Sequence, residues 1–600
     1  MTKHVDEQRY AKGRNRSILL RLGKYILRYW PLFLLAIALT LISNQLSLLG
    51  PSYSGDAIDA IAHPDGVQFD LVWENVVKML VCYVASAVLS YLLSVLMVVI
   101  SQKIIYTMRR QLFEKLTSLP VGYFDTHATG DIISRISYDI DTVNSSLSND
   151  LVQVMTSIYT VVGSLIFMWR ISRPLILIFV VTVPASILFA RYRSQKVRPL
   201  FRRRSRKLGE LNGYAEEMLS GCRTIQAYAR EEEIGGRFDA RNTEAMDAYY
   251  DADYYGSAMG PGMTFINNLS ISLITIFGGI LYMYSQSGKV AAGSAFFITL
   301  GGVAQFVQYS RKFAGPINEF ANILHEFQSA FSAAERVFRV IDEEPEKADI
   351  PGASVLSDVK GRVEVEKVSF GYTPDKTILH NVSVSAQPGK TIAIVGPTGA
   401  GKTTIINLLM RFYDVSEGAI YVDGSEVREV TRDSLRGAYT MVLQDTWLFH
   451  GTIFENIAYG REGATLEEVK AAARAARIDS YIEHLPDGYD TILSDDGINI
   501  SKGQRQLITI ARAMLSRTTM LILDEATSNV DSRTEIKIQE AMGELMKGRT
   551  CFVIAHRLST IKNAGQILVL QNGAITEQGT HDQLMDQGGL YATLYNSQFS

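Results

Sequence analysis

Six long apolar stretches dominate the first half of the chain. Each has about 20 residues or more, which is the length that a helix needs to cross a bilayer. The predicted spans are residues 27–49, 76–102, 150–170, 174–192, 262–284 and 291–310. Between Ser257 and Ser310 the only charged residue is Lys289. One such stretch is compatible with a buried helix of a soluble protein, but six of them predict a helical membrane domain.

Basic residues lie on one side of these spans. Seven occur in the first 24 residues and nine between Arg191 and Lys207, whereas the loop from Pro51 to Trp73 contains none. The positive-inside rule therefore places the N-terminus, the basic stretch and the second half of the chain in the cytoplasm. Because the basic stretch follows a span, we expect lipid headgroups of the bilayer to be its partner. The net charge of −3 gives no indication of a nucleic-acid partner.

Two predicted cytoplasmic segments, residues 103–149 and 193–261, are too long to be simple connections. Their pattern predicts that membrane helices continue into the cytoplasm, where each pair is joined by a short crossing helix. We place the crossing helices near Pro120–Thr126 and Tyr228–Phe238. The membrane domain is predicted to occupy residues 1–341, followed by a charged linker at 342–360 and a soluble domain at 361–600.

A phosphate-binding motif marks the soluble domain. The apolar run Thr391–Val395 predicts a short strand, and the residues after it match G-x-x-x-x-G-K-[ST] and lead into a predicted helix. Glycines let backbone N–H groups approach phosphates, Lys402 brings a positive charge to the β- and γ-phosphates, and Thr403 offers a hydroxyl to Mg²⁺. The predicted nucleotide-binding residues of this loop are Gly396, Pro397, Thr398, Gly399, Ala400, Gly401, Lys402, Thr403 and Thr404.

A second apolar run ends in two adjacent acids. Residues 520–523 predict a buried strand, and Asp524 and Glu525 follow at its carboxyl end. Ligands of α/β sheets bind at that edge. Asp524 is predicted to hold Mg²⁺ directly or through water, and Glu525 to orient and polarise the attacking water. Adjacent acids also occur at helix N-termini, but their position after a phosphate-binding motif favours the catalytic interpretation.

Five further segments follow a recognisable order. They are VSFGY around Tyr372, VLQDTWLF around Gln444, ISKGQ at Ile500–Gln504, SNVD at Ser528–Asp531 and IAHRLST around His556. Together with the two motifs above, these segments make residues 361–600 similar to the nucleotide-binding domain of an ABC transporter.

This resemblance implies roles that the motifs alone leave undefined. Tyr372 would stack on adenine, Gln444 would contact Mg²⁺ and sense the membrane domain, and His556 would contact the γ-phosphate. The signature segment would offer Ser501, Gly503 and Gln504 to a nucleotide. The implied catalytic residues are Glu525, His556 and Lys402, and the implied metal-contacting residues are Thr403, Gln444 and Asp524.

With six spans before this domain, the whole chain resembles a half-transporter of the ABC exporter type. In that family two halves pair and hold ATP between the phosphate-binding loop of one half and the signature of the other. The implied fold is a bundle of six transmembrane helices with long cytoplasmic extensions. An α/β P-loop domain with an antiparallel β part and a helical subdomain follows it. The implied activity is hydrolysis of ATP, with Mg²⁺, coupled to outward transport.

The signature segment departs from the family pattern, which is usually LSGGQ. Lys502 stands where the first signature glycine is expected, SNVD replaces the common SALD, and Asp495 stands where exporters usually carry Glu. The phosphate-binding loop, Asp524, Glu525 and His556 keep the pattern. This asymmetry is similar to that of heterodimeric bacterial exporters, so we predict pairing with a different half-transporter. A homodimer that tolerates Lys502 is the alternative.

The cargo is predicted from the residues inside the spans. These contain no Asp or Glu in their cores, and their polar groups are mild: Asn44, Gln45, Asn267, Asn268, Gln305 and Gln308. Such amides most often bond neighbouring helices. The absence of buried cations within the predicted spans disfavours a strongly anionic cargo. We therefore expect multidrug-type export of amphipathic or lipophilic compounds across a bacterial plasma membrane, with lipid flipping or peptide export as alternatives.

Functions of other classes agree less well with the sequence. A non-transport ATPase would not carry six spans, and an ATP-gated channel would usually bring a regulatory insertion. An importer usually keeps its membrane and ATPase parts on separate chains.

Overall fold

The computed structural model describes residues 18, 20–291, 294–373, 375–443, 446–493, 500–524, 531–555 and 561–599. The side chains of residues 317–322, 324–325 and 597–599 lie outside this description. The chain divides into two compact units. The first contains the residues up to Thr117 together with Thr129–Glu343, and the second contains Ser118–Ala128 and the residues from Glu344 onward.

The described residues before 343 are helical almost throughout, and they include two π-helical turns at Arg135–Asp139 and Ser146–Asp150. Residues 20–27 are helical, and the helices that follow them are α1 (Trp30–Ile61), α2 (Phe69–Thr117), α3 (Val121–Thr126), α4 (Thr129–Ser134), α5 (Ile140–Ser145), α6 (Leu151–Ile171), α7 (Arg173–Ser220), α8 (Cys222–Ala227), α9 (Glu231–Ser257), α10 (Met259–Gln286) and α11 (Leu300–Asp342).

Among the residues that the structure describes, five helical segments are long and apolar enough to cross a membrane, judged by length and composition. They are Trp30–Ile61, Phe69–Thr117, Thr129–Ile171, Arg173–Ser220 and Glu231–Gln286. The 49 residues of α2 extend over about 74 Å at 1.5 Å per residue, more than twice the roughly 30 Å of a hydrocarbon core. Continuous helices therefore run well beyond the apolar stretches, as the sequence predicts.

The predicted sixth span begins in the wrong place. Residues 291–310 are predicted as one span, but α11 begins only at Leu300, where the Thr299 hydroxyl accepts a hydrogen bond from the Gly302 N–H at 3.0 Å. Threonine is a favoured N-cap residue because its side-chain oxygen satisfies an otherwise unpaired N–H. Within the described residues α11 is not among the five helices selected by length and composition, so the count of six spans is not reproduced.

The two predicted crossing helices have different outcomes. The first is confirmed, because α3 occupies Val121–Thr126 within the predicted segment. The second lies earlier than predicted: the short helix is Cys222–Ala227, whereas most of the predicted segment Tyr228–Phe238 belongs to α9. Ala229 adopts a left-handed φ of 50°, which ends the short helix. Glutamates 231–233 then form the first turn of α9, where negative charge is favourable.

Polar contacts join the second half of α1 to the first third of α11. We call this set the α1–α11 ladder. Its contacts are Asp59 with the Thr299 hydroxyl and the Gly301 N–H (both 2.6 Å), Gln305 with the Ser52 carbonyl (2.9 Å) and Asp56 (3.1 Å), Gln308 with Ser54 (3.1 Å), Tyr309 with the Leu48 carbonyl (2.6 Å), and Lys312 with the Ser47 hydroxyl (2.7 Å).

The ladder confirms that Gln305 and Gln308 join neighbouring helices. Gln45 has the same role, since its side-chain oxygen accepts a hydrogen bond from the Tyr159 hydroxyl of α6 at 2.7 Å.

The described part of the second unit is an α/β domain with three sheets. The strands are β1 (Val363–Phe370), β2 (Leu379–Ala386), β3 (Thr391–Val395), β4 (Glu417–Val422), β5 (Ser425–Glu426), β6 (Tyr439–Val442), β7 (Gly451–Thr452), β8 (Ile492–Leu493), β9 (Met520–Asp524), β10 (Thr550–Ile554), β11 (Gln566–Gln571) and β12 (Ala574–Gly579). Their order in the sheets is β2-β1-β4-β5, β12-β11-β3-β10-β9-β6 and β7-β8.

The helices of this unit surround the six-stranded sheet and build a helical part before β9. They are α3 and, further along the chain, α12 (Lys402–Leu409), α13 (Arg432–Gly437), α14 (Ile453–Ala458), α15 (Leu466–Ala475), α16 (Asp479–Glu483), α17 (Lys502–Leu515), α18 (Ser532–Met546), α19 (His581–Gln587) and α20 (Leu590–Phe599).

The six-stranded sheet is parallel from β11 to β6, and β12 pairs antiparallel at its edge. The central strands read as continuous apolar runs because both of their faces are covered. Ile392, Leu521 and Phe552, one from each of β3, β9 and β10, are almost completely buried. The antiparallel β1–β2–β4 part also agrees with the predicted fold class.

Candidate nucleotide-binding site

The phosphate-binding loop connects β3 to α12 and is built on glycines with left-handed backbone angles. Gly396, Gly399 and Gly401 have φ values of 152°, 82° and 102°. A methyl group at Gly396 would also come too close to the carbonyl oxygen of Leu570 on β11. Only glycine therefore fits this turn without strain. The loop ends at the N-terminus of α12, where backbone N–H groups are available to an anion.

Lys402 begins α12 and folds back over the loop. Its ammonium group donates hydrogen bonds to the carbonyl oxygens of Gly396 (2.7 Å) and Pro397 (3.0 Å). Burial lowers the pKa of Lys402, and the carboxylate of Asp524 partly opposes this effect. The ammonium group is thus held beside the loop by two neutral oxygens, which the phosphates of a nucleotide can replace.

Asp524 is the last residue of β9, and β10 lies between β9 and β3 in the sheet. Since all three strands are parallel, their carboxyl ends meet at one edge, which brings Asp524 to the side of the phosphate-binding loop. The Thr403 hydroxyl is on an exposed residue at the start of α12. Hydroxyl and carboxylate oxygens are ligands that Mg²⁺ prefers, so this donor set fits a magnesium ion that also binds nucleotide phosphates.

Tyr372 follows β1 and is 46% exposed. Its hydroxyl lies 3.2 Å from the Thr404 hydroxyl and accepts a hydrogen bond from the Asn407 side chain, also at 3.2 Å. Both partners belong to α12, so the structure brings Tyr372 next to the phosphate-binding loop. An exposed ring in this place is available for stacking on a base.

The signature segment forms the start of α17. The Ser501 hydroxyl accepts a hydrogen bond from the Gln504 N–H at 3.3 Å, and the Gln504 side chain accepts one from the Ser501 N–H at 2.9 Å. This reciprocal pair is a capping box. Gly503 is buried, whereas Ser501 and Lys502 are exposed at the helix N-terminus. The segment therefore forms an anion-accessible helix end, with the long side chain of Lys502 in its first turn.

Several predicted site residues lie outside the described residues. They are Gln444, Asp495, Glu525, the 528–530 part of the SNVD segment, and His556. Asp531 is described, and it caps α18 by accepting a hydrogen bond from the Thr534 N–H at 2.9 Å. This bond and others from nearby N–H groups hold the pKa of Asp531 below its usual value.

Comparisons with known proteins decide the family. Residues 33–303 match the family described as the ABC transporter transmembrane region, and residues 379–528 match the family described as ABC transporter. The chain belongs to the ABC transporter family.

Two relatives and one solved structure extend this result. The fatty acid ABC transporter ATP-binding/permease protein of Mycobacterium bovis is 44% identical over 88% of this chain and 81% of its own length. The ATP-dependent lipid A-core flippase of Syntrophus aciditrophicus is 33% identical over 99% of this chain and 96% of its own length. A bacterial Atm1-family ABC exporter with ATP bound matches with a TM-score of 0.75 and 29% identity, over 95% of this chain and 98% of that chain.

These findings establish the coarse activity of the transporter. It is an integral membrane protein of the bacterial plasma membrane, and its ATP-binding domain is cytoplasmic. It binds ATP and couples ATP hydrolysis to transport. ABC exporters act as dimers, so one copy of this chain is half of the working transporter.

Sequence analysis did not identify Tyr413, which joins the first crossing helix to the nucleotide site. Its hydroxyl donates a hydrogen bond to Asp125 of α3 at 2.5 Å, and its ring meets Tyr372 edge to face with centroids 5.0 Å apart. Burial, and then the bond to Asp125, raises the pKa of Tyr413 above its usual value. The two residues of this hydrogen bond are 288 positions apart, so no local pattern could have revealed the contact.

We expect Tyr413→Phe to weaken the response of ATP hydrolysis to transported compounds about threefold to tenfold. The substitution keeps the ring that contacts Tyr372 and removes only the hydrogen bond to Asp125. Because solvent screens this exposed pair, we expect the bond to contribute about 0.5–1.5 kcal/mol, which corresponds to a factor of this size. The ratio of stimulated to basal ATPase rate in reconstituted protein measures this effect. Tyr421→Phe, on the half-buried face of β4, is a matched control, and an unchanged ratio in Tyr413→Phe would remove Tyr413 from coupling.

Proposed function

We propose that this chain exports amphipathic or lipophilic compounds as one half of a dimeric transporter. The supporting observation is that one chain contains both long apolar helices and a phosphate-binding loop with left-handed glycines. We further propose α11 as a sixth membrane helix, because the α1–α11 ladder packs it against a span. Multidrug export and lipid flipping both fall within this class. Two relatives are named for fatty acid transport and for lipid A-core flipping, and their names favour a lipid-like cargo.

The proposed chemistry at the nucleotide site uses the residues that the motifs indicate. Lys402 and the loop N–H groups bind the β- and γ-phosphates, and Tyr372 stacks on the base. Thr403, Asp524 and Gln444 hold Mg²⁺, which would neutralise charge on the phosphates when bound. Glu525 orients the attacking water and accepts its proton, and His556 contacts the γ-phosphate. Ser501, Gly503 and Gln504 serve the site of the partner subunit.

A pairing with a different half-transporter is the second part of the proposal. Lys502 lies exposed in the first turn of α17, at the helix end that would meet the γ-phosphate of the partner's nucleotide. A long cationic side chain at that place would keep the helix end away from the phosphate. The partner's site would then bind ATP more than it hydrolyses it, while Lys402 and Glu525 would hydrolyse ATP against the intact signature of the partner.

The mass of the detergent-purified complex tests this pairing. We expect that co-expression with the half-transporter encoded next to it yields a mixed dimer with transport-stimulated ATPase activity, and that the chain alone hydrolyses ATP at least about tenfold more slowly. Loss of one donor to the developing charge on a reacting group costs about 10²–10³-fold, so a tenfold reduction is a lower bound. A homodimer of this chain with brisk, transport-stimulated ATPase activity would contradict the pairing and would make both sites equivalent.

Reconstituted vesicles test the proposed export. Outward movement of a fluorescent amphiphile is expected only with ATP supplied at the nucleotide-binding side. Transport in the opposite direction, or a requirement for an external binding protein, would contradict the proposal.

A further inference from the structure

One cation lies beyond the end of the predicted sixth span, in the part of α11 that packs against α1. Lys312 donates hydrogen bonds to the carbonyl oxygen (3.0 Å) and the hydroxyl oxygen (2.7 Å) of Ser47. Its neighbours Tyr309 and Phe313 are buried in the apolar core between helices. The sequence-based interpretation found no buried cation because it ended the span at residue 310.

The position of Ser47 in α1 indicates how deep Lys312 lies relative to the apolar stretch of that helix. Ser47 lies within a stretch of α1, from Trp30 to Gly55, that contains no charged residue. It precedes Asp56, the first charge after that stretch, by nine residues, or about 13 Å of helix. An apolar stretch of this length covers the hydrocarbon core of a bilayer, so Lys312 joins α1 well inside it.

The charge of Lys312 is not balanced by a described carboxylate. Both of its hydrogen-bond acceptors are neutral, and no acidic group is recorded beside it among the described side chains. Glu319, two helical turns further along α11, lies outside the described side chains. Lysine has three N–H donors, of which Ser47 engages two. An ionisable group at such depth normally faces the interior of a helix bundle or a water-filled cavity, and it marks an ion or substrate pathway.

We infer that Lys312 binds the anionic headgroup of an amphiphilic substrate, a carboxylate or a phosphate monoester. This inference rests on the proposed function and specifies its substrate class. Exposed apolar side chains of the spans, such as Leu41 and Ile42 of α1, are available to the hydrocarbon part, and Lys312 supplies the opposite charge for the headgroup. Its contact with Ser47 holds the ammonium group in place without neutralising it.

The alternative role of Lys312 is purely structural, as the last contact of the α1–α11 ladder. Four substitutions separate the two roles. Lys312→Gln keeps a hydrogen-bond donor for Ser47 and removes the charge, whereas Lys312→Arg keeps the charge. Ser47→Ala removes the ladder contact and keeps the charge, and Arg311→Gln removes the charge of the exposed neighbouring residue.

The readout compares two probes that have the same hydrocarbon chain, one with an anionic and one with a neutral headgroup. Each purified dimer is placed in phosphatidylcholine nanodiscs at pH 8.5, and half-stimulating concentrations for ATPase activity are measured with oleate and with its neutral methyl ester. We expect the wild type to prefer oleate by about tenfold or more, as a charge-assisted hydrogen bond implies. The preference is expected to persist in Lys312→Arg, Ser47→Ala and Arg311→Gln and to disappear in Lys312→Gln. Oleoyl lysophosphatidate, measured in parallel, distinguishes a phosphate from a carboxylate as the preferred headgroup.

Each other outcome overturns the inference in a recognisable way. If Lys312→Gln keeps the preference for oleate, the charge of Lys312 does not bind the headgroup. If Ser47→Ala loses the preference together with Lys312→Gln, the ladder is responsible. If the wild type responds equally to oleate and its ester, the export of amphiphiles stands and the anionic class is wrong. If neither probe acts while ATP is still hydrolysed, the proposed export of amphiphiles fails as well.

Discussion

Replacing Glu525 by glutamine is expected to reduce ATP turnover by about 10²–10⁴-fold while ATP binding is retained. Glutamine keeps the size of the side chain and one oxygen acceptor, but it cannot accept a proton from water at neutral pH. Glu525 follows Asp524 directly, and Asp524 ends β9 at the sheet edge that also holds the phosphate-binding loop. The substitution therefore changes the chemical step and leaves the phosphate-binding groups in place.

Two measurements on the same preparation test this expectation. ATP binding is followed by equilibrium titration with a fluorescent ATP analogue, and turnover by phosphate release. Glu544→Gln is the matched control, since Glu544 is an exposed glutamate of α18 that pairs with Lys547 at 2.5 Å. Turnover of Glu525→Gln within about threefold of the wild type would remove Glu525 from the role of base. Equal loss of binding and turnover would assign it to nucleotide binding instead.

Features that depend on neighbouring residues were predictable from the sequence. The phosphate-binding loop, β3 and β9 follow from short apolar runs next to glycines and acids, because the strands are buried on both faces. The crossing helix α3 follows from Pro120, which fixes the backbone just before Val121.

Features that depend on distant contacts or on a single cap were not predictable. Residues 291–310 contain no charged residue, so hydropathy alone gives no reason to begin a helix at Leu300, and the Thr299 cap marks that point. The predicted position of the second crossing helix was wrong because the helical pattern of the predicted segment belongs mostly to α9. The contacts of Tyr413 with Asp125 and of Lys312 with Ser47 join residues hundreds of positions apart. These contacts form only when the chain folds, so the hydrophobic periodicity of the sequence does not predict them.

Replacing Lys402 by methionine is expected to weaken ATP binding by about tenfold to a hundredfold and to abolish measurable turnover. Methionine has a similar length but no charge, so each lost charge-assisted hydrogen bond costs about 1.5–3 kcal/mol. The loss is larger in the transition state, where one missing donor to developing charge costs a further factor of about 10²–10³.

The geometry makes Lys402 well suited to this role. Its ammonium group already lies over the loop, bound to the carbonyl oxygens of Gly396 and Pro397. Because those oxygens are neutral and burial lowers the pKa of Lys402, the ammonium group gains most when phosphates arrive. Lys470→Met is the matched control, since Lys470 is a helical lysine of the same unit with a glutamate 3.7 Å away. Wild-type affinity and turnover in Lys402→Met, measured by nucleotide titration and phosphate release, would mean that this loop does not bind the hydrolysed nucleotide.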